Sequence, residues 1–571
     1  MAFLQLISRL KGSRPRTHRP SISPRSPLVK SIRTLALWSL LAVMLLGRSS
    51  FGQSVLQGFV IETIADVHDA VAVAFTPNGQ RMFVCTKGGL VRIVVDGQLL
   101  PVPFLNLSDE VDGRGDKGLL GIDVHPDFEQ NGYVFLLYVV DATPGAPILF
   151  NETPSLGRVV RYTAQGNTAD PASRTVLLGH EASASDGFII CFNSHATGTV
   201  KFGLDGSLFV GSGDGAHWDF VDHGQDVTEF DPQCAALFGE ENDIGSWRAQ
   251  NTASLAGKIL RLDPETGEGL SDNPDFDGDP STVVSKTWVR GLRNPYRFAV
   301  RPGSDGPGTL YIGDVGGVLF EEMNVALGGE NFGWPCYEGA PPSSDFLNDS
   351  VIGPLCQGLS SASITEPLIY WDHSDPAIGG FTGNCASGMV FYAGNRYPPR
   401  YQGACFFADY VEDWIKVAFV NANNVLLGVE DFVEGLDRPV DLATCPVSGD
   451  LVYVSLAGSV GRISFVGENV VPGDCNADGV LDISDGTCAL GVLFTGEPAV
   501  FPCGDGSSTD PANITLMDWQ SVGAGGGDLD ISDAIGLLRF LFLGEIAHPL
   551  AVPGLEREEC VLIPDCPTSC Q

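Results

Sequence analysis

The densest set of chemistry-bearing residues is a run of oxygen donors, Asp474-Cys475-Asn476-Ala477-Asp478-Gly479-Val480-Leu481-Asp482-Ile483-Ser484-Asp485. Side-chain oxygens fall at positions 1, 3, 5, 9 and 12 of a twelve-residue loop, Gly479 at position 6 permits a sharp turn, and Val480 at position 7 would offer its carbonyl. Calcium needs six or more hard oxygens wrapped by a short chain, and this spacing supplies them. The alternative is a merely solvated acidic turn. A further stretch, Asn273-Pro274-Asp275-Phe276-Asp277-Gly278-Asp279, copies the first half of such a loop, but Val284 stands at the closing position, so an exposed acidic turn is expected there. No Gly-x-Ser-x-Gly elbow and no Cys-x-x-Cys pair occurs, which removes the signatures of a serine hydrolase and of a thiolate zinc or dithiol site. His195 is an acid-base candidate because a histidine titrates near neutrality, although alone it reads equally as a turn or core histidine. Arg293-Asn294-Pro295 alone could simply brace a strand end.

The elements that must position these residues repeat. An apolar strand, a Pro or Asp-Gly turn and a second strand ending in glycine recur six times, from Ala70, Gly118, Gly198, Asn294, Ser387 and Arg438. Each copy alternates apolar and polar residues with period two, the pattern of antiparallel strands joined by tight turns. Repeated sheets arranged radially make a β-propeller with short protected edges, so six copies predict six blades. The irregular spacing, with an insertion from His217 to Thr252, leaves a two-sheet sandwich as the alternative. Beyond about Gly473 the texture changes: sixteen acids face Arg539 and Arg557 alone. Two phrases repeat there, LDISDGTCALGVLF from Leu481 and LDISDAIGLLRFLF from Leu529, each an acidic turn leading into an apolar helical stretch. The expected organisation is a leader at 1–53, a propeller at 54–466, a linker at 467–472 and a small α-helical domain at 473–571.

On its 474–485 loop and paired phrases, the tail resembles dockerin modules, which carry two calcium loops of the EF-hand type. That implies calcium held by Asp474, Asn476, Asp478, Val480, Asp482 and Asp485, and docking to a protein partner. In the second copy, counting back from Asp533 puts Val522, Ala524 and Gly526 where acids should stand, so a poor second loop is expected.

The strings KGLLGIDVHPDF (117–128), NSHATGTVKFGLDG (193–206), SLAGKILRLD (254–263), GLRNPYRFAV (291–300), and GDVGGVLFEEMN followed by NFGWPCYEG (313–339) together resemble the soluble glucose/sorbosone dehydrogenase family over about residues 58–466. The resemblance implies a secreted six-bladed propeller using pyrroloquinoline quinone and calcium to oxidise a sugar. It implies His195 as catalytic base, Arg293 and Asn294 as quinone contacts, and the carbonyls of Gly316 and Gly317 as calcium ligands. Removing hydride from a sugar C1 requires loss of the hydroxyl proton, which a histidine can accept. An arginine can pair with a cofactor carboxylate bidentately. Departures are also legible. Ser194 precedes His195 where Asp or Asn is common, so the imidazole's orienting partner is expected to be missing. Asp116-Lys117 replace a glutamine segment, Tyr392 falls where a lysine would be, and Phe406–Trp414 lacks an arginine pair. His125 is expected to be structural. The rival reading is a non-catalytic propeller that binds carbohydrate or protein and is positioned by its tail.

Thirty-three Lys+Arg against seventy Asp+Glu give a net charge of −37, and the first 53 residues are basic without an acid, so the remainder is more acidic still. Such a surface repels phosphate backbones and argues against nucleic-acid binding. The apolar run Leu35 to Gly47 between a basic leader and Ser49-Ser50-Phe51-Gly52 has the form of an export signal cleaved near Gly52, the alternative being an uncleaved anchor. The run is too short for a comfortable membrane span of about 20 residues. Fourteen cysteines, eight between Cys85 and Cys445 and six between Cys475 and Cys570, fit an oxidising compartment and separate stapling of the two segments. The expected pairs are Cys336 with Cys356 and Cys385 with Cys405.

Overall fold

The computed structural model describes residues 53–571 except 57, 141–153, 181–185, 226–231, 497–499, 520–528, 544–547, 549–560, 564–565 and 567–571. The export signal therefore lies outside the described residues, as do Val522, Ala524 and Gly526. Six antiparallel sheets of four or five strands form the blades of a β-propeller. The innermost strands are Ala70–Phe75, Leu119–Val124, Thr197–Phe202, Arg297–Val300, Ala386–Phe391 and Pro439–Thr444, so each sequence copy opens a blade. The ring closes by pairing an early strand, Phe59–Asp66, with the last, Ser459–Phe465.

Period-two alternation is what lets one strand serve two seams. In Leu451–Ser455, Val452 and Val454 pack into the seam with the first blade. Leu451 and Tyr453 point the other way, into the aromatic seam with the fifth blade, among Tyr392, Tyr397, Phe406 and Phe432. Each of the six inter-blade seams carries one such apolar cluster. The central axis is filled: the Arg297 guanidinium donates to the carbonyls of Val440 (3.0 Å) and Val71 (2.6 Å) and lies 3.2 Å from Asp441. The cavity beside it measures about 10 Å³, room for about one water, so the axis is a plug and not a pore. Five of the six inner strands begin with a register shift, and bulges of this kind bend a strand end and re-aim its side chains.

Cys336–Cys356 is formed as expected, alongside Cys191–Cys234, Cys475–Cys488 and Cys503–Cys566. The expected Cys385–Cys405 bridge is not: both are free. Cys385 sits opposite Tyr410, whereas Cys405 sits opposite Phe391 at the far end of the same hairpin. Six residues of strand separate them by roughly 20 Å, far beyond disulfide reach.

The supposed linker at 467–472 instead supplies a strand, Glu468–Val470, paired with Val561–Ile563. Val470 and Val471 pack with Leu481, Phe501, Leu516, Trp519 and Leu537 in a separate apolar cluster, around short helices at Ile483–Leu490, Pro511–Met517 and Ile531–Leu543. Among the described residues no helix is long and apolar enough to cross a membrane.

Candidate functional site

The third blade delivers the first part of the site. His195 lies in the turn before Thr197–Phe202 with φ of +47°, a conformation that costs a non-glycine residue energy and recurs at functional sites. Opposite it, the strand Leu208–Ser212 runs into Gly213-Asp214-Gly215. A Cβ at Gly213 would collide with the His195 carbonyl, and one at Gly215 with the Ile189 carbonyl. The two glycines therefore let the segments close up, with Gly215 N–H donating to the His195 carbonyl at 3.0 Å.

That approach brings Asp214 to His195. Asp214 Oδ1 lies 2.7 Å from His195 Nδ1 and also accepts the Ala216 N–H at 2.9 Å; Oδ2 accepts Trp334 Nε1 at 2.7 Å. Burial alone would raise the Asp214 carboxyl, but the His195 imidazole, Arg293 and the Ala216 amide outweigh it and hold it below the usual range. Burial, with the Arg293 charge, pushes His195 below its usual range against the pull of Asp214. The imidazole is therefore neutral near pH 7, with the Nδ1 proton on the carboxylate side and a lone pair on Nε2. That Nε2 is buried and, among the described residues, has no hydrogen-bond partner. The orienting partner that Ser194 fails to supply comes from Asp214 instead. The legible signal was a carboxylate between two glycines at the end of the strand paired with Thr197–Phe202.

The fourth blade adds Arg293 and Asn294, whose backbone N–H groups donate to Asp314 Oδ2 and Oδ1 at 2.9 and 2.6 Å. Arg293 Nη1 reaches the Val315 carbonyl at 3.0 Å, and its guanidinium lies 5.4 Å from the Trp334 ring centre. Trp334 thus joins Arg293 to the Asp214–His195 pair, and the three expected residues share one site. Asp314 is paired in register with Glu322; burial raises both carboxyls, with the Asp214 charge adding to it at Asp314 and the Asp314 charge at Glu322. Gly316 and Gly317 form the turn after Asp314. The N–H groups of Gly317, Val318, Leu319 and Phe320 converge on Glu338 Oε1 at 2.8–3.1 Å. Among the described residues neither glycine carbonyl accepts a hydrogen bond.

The departures divide. Lys117 is fully buried and bonded to Ser155, so it braces the second blade. Burial pushes the Asp116 carboxyl up to about 6, against the charges of Lys87 and Arg293, which lower it. Tyr392 turns away into the seam between the fifth and sixth blades, donating to the Gly449 carbonyl at 2.6 Å and accepting from Arg396 and Tyr397 N–H. His125 accepts the Asp127 N–H and packs on Phe202.

In the tail, Asp474 accepts the N–H groups of Asp478 and Gly479, Asp478 that of Val480, and Asp485 those of Asn476 and Asp482. Asp482 caps the helix Ile483–Leu490, and Cys475–Cys488 ties loop to helix. Burial, with Asp474 and Asp478 close by, pushes Asp485 up to about 7. Asp533 holds the matching position, accepting from Trp519 and Asp530. Asn273 is instead consumed by hydrogen bonds to Arg261 and to the Ser285 carbonyl, and Asp275 pairs with Arg290.

A family model described as glucose/sorbosone dehydrogenase matches residues 67–463. The chain is 29% identical over 385 residues to the HIPL1 protein of Arabidopsis thaliana, covering 57% of this chain and 51% of that one. It spans about half the length of the two Arabidopsis relatives it matches, 51% and 44%. It is 25% identical over 398 residues to the aldose sugar dehydrogenase YliI of Escherichia coli, covering 67% of this chain and 89% of that one. A solved glucose dehydrogenase structure superposes with a TM-score of 0.54 at 20% identity over 71% of this chain and 98% of that chain, which speaks for the fold.

Proposed function

Since the chain belongs to the glucose/sorbosone dehydrogenase family, we propose that it is an exported sugar dehydrogenase that oxidises an aldose or related sugar at the His195 site. The observation that carries this reading is the buried, unpartnered Nε2 of an imidazole whose other nitrogen is fixed on a carboxylate. Asp214 sets the ring's orientation and tautomer, and stabilises the imidazolium once it forms. Nε2, buried from solvent, takes the proton of the sugar's anomeric hydroxyl.

The donor set fits the family's cofactors at the reacting end. Arg293 and Asn294 would hold pyrroloquinoline quinone, and the Asn294 side chain has no hydrogen bond among the described residues. The unengaged carbonyls of Gly316 and Gly317 would hold calcium. When bound, the quinone supplies a two-electron hydride acceptor and calcium a Lewis acid. A second calcium would sit in the tail loop, where the hard oxygens of Asp474, Asn476, Asp478, Asp482 and Asp485 and the Val480 carbonyl gather; a dication would relieve the charge of Asp474 and Asp478 that adds to burial in raising Asp485. The four disulfides among the described residues support an extracytoplasmic setting.

The rival, a propeller that binds without turnover, has its own support. Tyr392 faces away from the site, and Asp116 brings an acid within reach of the Arg293 charge. A relative named hedgehog-interacting protein, from Homo sapiens, is 26% identical over 252 residues. In that reading the tail docks to a protein through exposed apolar residues such as Phe494, Phe542 and Leu543.

The test is a titration of calcium-loaded protein with pyrroloquinoline quinone, following quinone absorbance and dye reduction by a panel of aldoses. Saturable binding with sugar-dependent reduction, lost in His195→Gln, is expected. No binding at micromolar quinone overturns the enzyme reading.

A further inference from the structure

Beyond the His195–Asp214 pair, the insertion in the third blade builds a wall of rings. Residues 191–195 and 214–216 are zipped together: Cys191 N–H donates to the Gly215 carbonyl at 3.0 Å, and Ser194 Oγ to the Ala216 carbonyl at 2.8 Å. The chain therefore leaves the pair directly into His217, Trp218, Asp219 and Phe220. The His217 ring is stacked on Phe220 (centroids 3.9 Å, 21° between planes) and on Trp218 (5.9 Å, 16°), and it meets Phe192 edge-on at 5.0 Å. Trp218 stands two residues past Ala216, at most about 7 Å of chain.

The stack is held from behind. The His217 N–H donates to Asp222 Oδ2, and Asp219 N–H to His217 Nδ1. Disulfide Cys191–Cys234 anchors the insertion to the segment that leads into His195. Val221 and Trp247 pack on Trp334, Tyr337, Phe346 and Ile352 of the fourth blade's insertion, and His223 lies 3.0 Å from Asp349 of that insertion. Trp218 and Phe220 nevertheless stay only half-buried. Flat rings fixed in place with part of their surface toward solvent suit a pyranose, whose apolar C–H face meets the electron-rich face of an aromatic ring. A free monosaccharide whose anomeric carbon sits at His195 has no need of rings farther along the wall; a second sugar unit does.

We propose that the His217, Trp218 and Phe220 stack is a second sugar subsite, so that the protein takes the end of an oligosaccharide in preference to a free monosaccharide. The assignment rests on the sugar reading of the His195 site, but it does not depend on oxidation. Calorimetry on the full chain, calcium-loaded and without quinone, with glucose, cellobiose, cellotriose and maltotriose as probes, reads it directly.

At least one trisaccharide is expected to bind about tenfold or more tighter than glucose, the scale of one good ring contact. Trp218→Ala should abolish that gain and leave glucose binding within about twofold, whereas Trp218→Phe, which keeps a ring and tests the site should the alanine variant not fold, should retain part of it. No oligosaccharide binding, no preference over glucose, or an equal loss for both in Trp218→Ala overturns the subsite. If these binding results hold while quinone-dependent turnover is absent, the dehydrogenase reading falls and the subsite stands.

Discussion

The two sides of the propeller face are built differently. On the third and fourth blades, polar side chains are fixed around a site: the strained His195, the Asp214 and Asp314 carboxylates and the Trp334 bridge. Long insertions there are pinned by Cys191–Cys234 and Cys336–Cys356. On the fifth and sixth blades the seam is built mainly of rings, with Tyr392 stacked on Tyr397 at 4.3 Å and Phe406 against Phe432. One side gathers polar side chains around one site, and the other spends rings on cohesion. A ring of similar sheets can specialise by sector, because each seam has its own core and the site draws on neighbouring strand ends alone.

The sharpest way to break this contrast is Asp214→Asn. An amide can no longer take the Nδ1 proton as a carboxylate does, so the expected result is a fall of roughly 10²–10⁴ in sugar-dependent turnover with little loss of quinone binding. Asp214 raises His195, so the acid limb of the kcat/KM profile should also move to lower pH. A stopped assay across pH 4 to 9 reads both, and an unchanged rate would place the chemistry elsewhere.

On the other side the outcome should invert. Tyr392→Phe removes one buried donor from the Gly449 carbonyl and one acceptor from the Arg396 and Tyr397 amides. Stability should fall by about 1–3 kcal/mol in urea unfolding, with turnover unchanged. A loss of turnover at constant stability would make Tyr392 part of the site.

The smallest effect belongs to Asp116→Asn. The folded pKa of Asp116, about 6, lies above its ordinary value of 3.8. Its contribution to stability is therefore fully present below about pH 4 and is lost as pH rises through 6. The variant should match the parent at pH 4 and melt a few degrees higher at pH 8. A melting difference that does not depend on pH would mean that Asp116 does not feel the burial and charges described.

Much of this was legible in the chain. Period-two alternation and tight turns marked the inner strand of every blade, because those residues must fill two seams at once. His195, Arg293 and Asn294 were picked out only through the family resemblance of their strings; alone, the residues read equally as turn, core or bracing positions. Asp214 was missed because its role comes from a close approach across a hairpin that needs Gly213 and Gly215, and spacing along the chain does not encode which carbonyl a glycine passes. The Cys385–Cys405 expectation failed for a related reason: twenty residues suffice for a bridge, but a hairpin register of six residues parts them. Glu468–Val470 was read as a linker because its strand partner, Val561–Ile563, lies far away in sequence.

The pairing of Phe59–Asp66 with Ser459–Phe465 has a consequence for how the chain is made. About 400 residues must be synthesised before this strand meets its partner, and contacts of such separation form late and slowly. Until then the ring stands open, with the outer edge of its last blade and one seam exposed to other chains. A chain cut short before residue 459 would leave that edge permanently unpaired, an invitation to aggregate. Synthesis through residue 465 is thus a precondition for a closed ring.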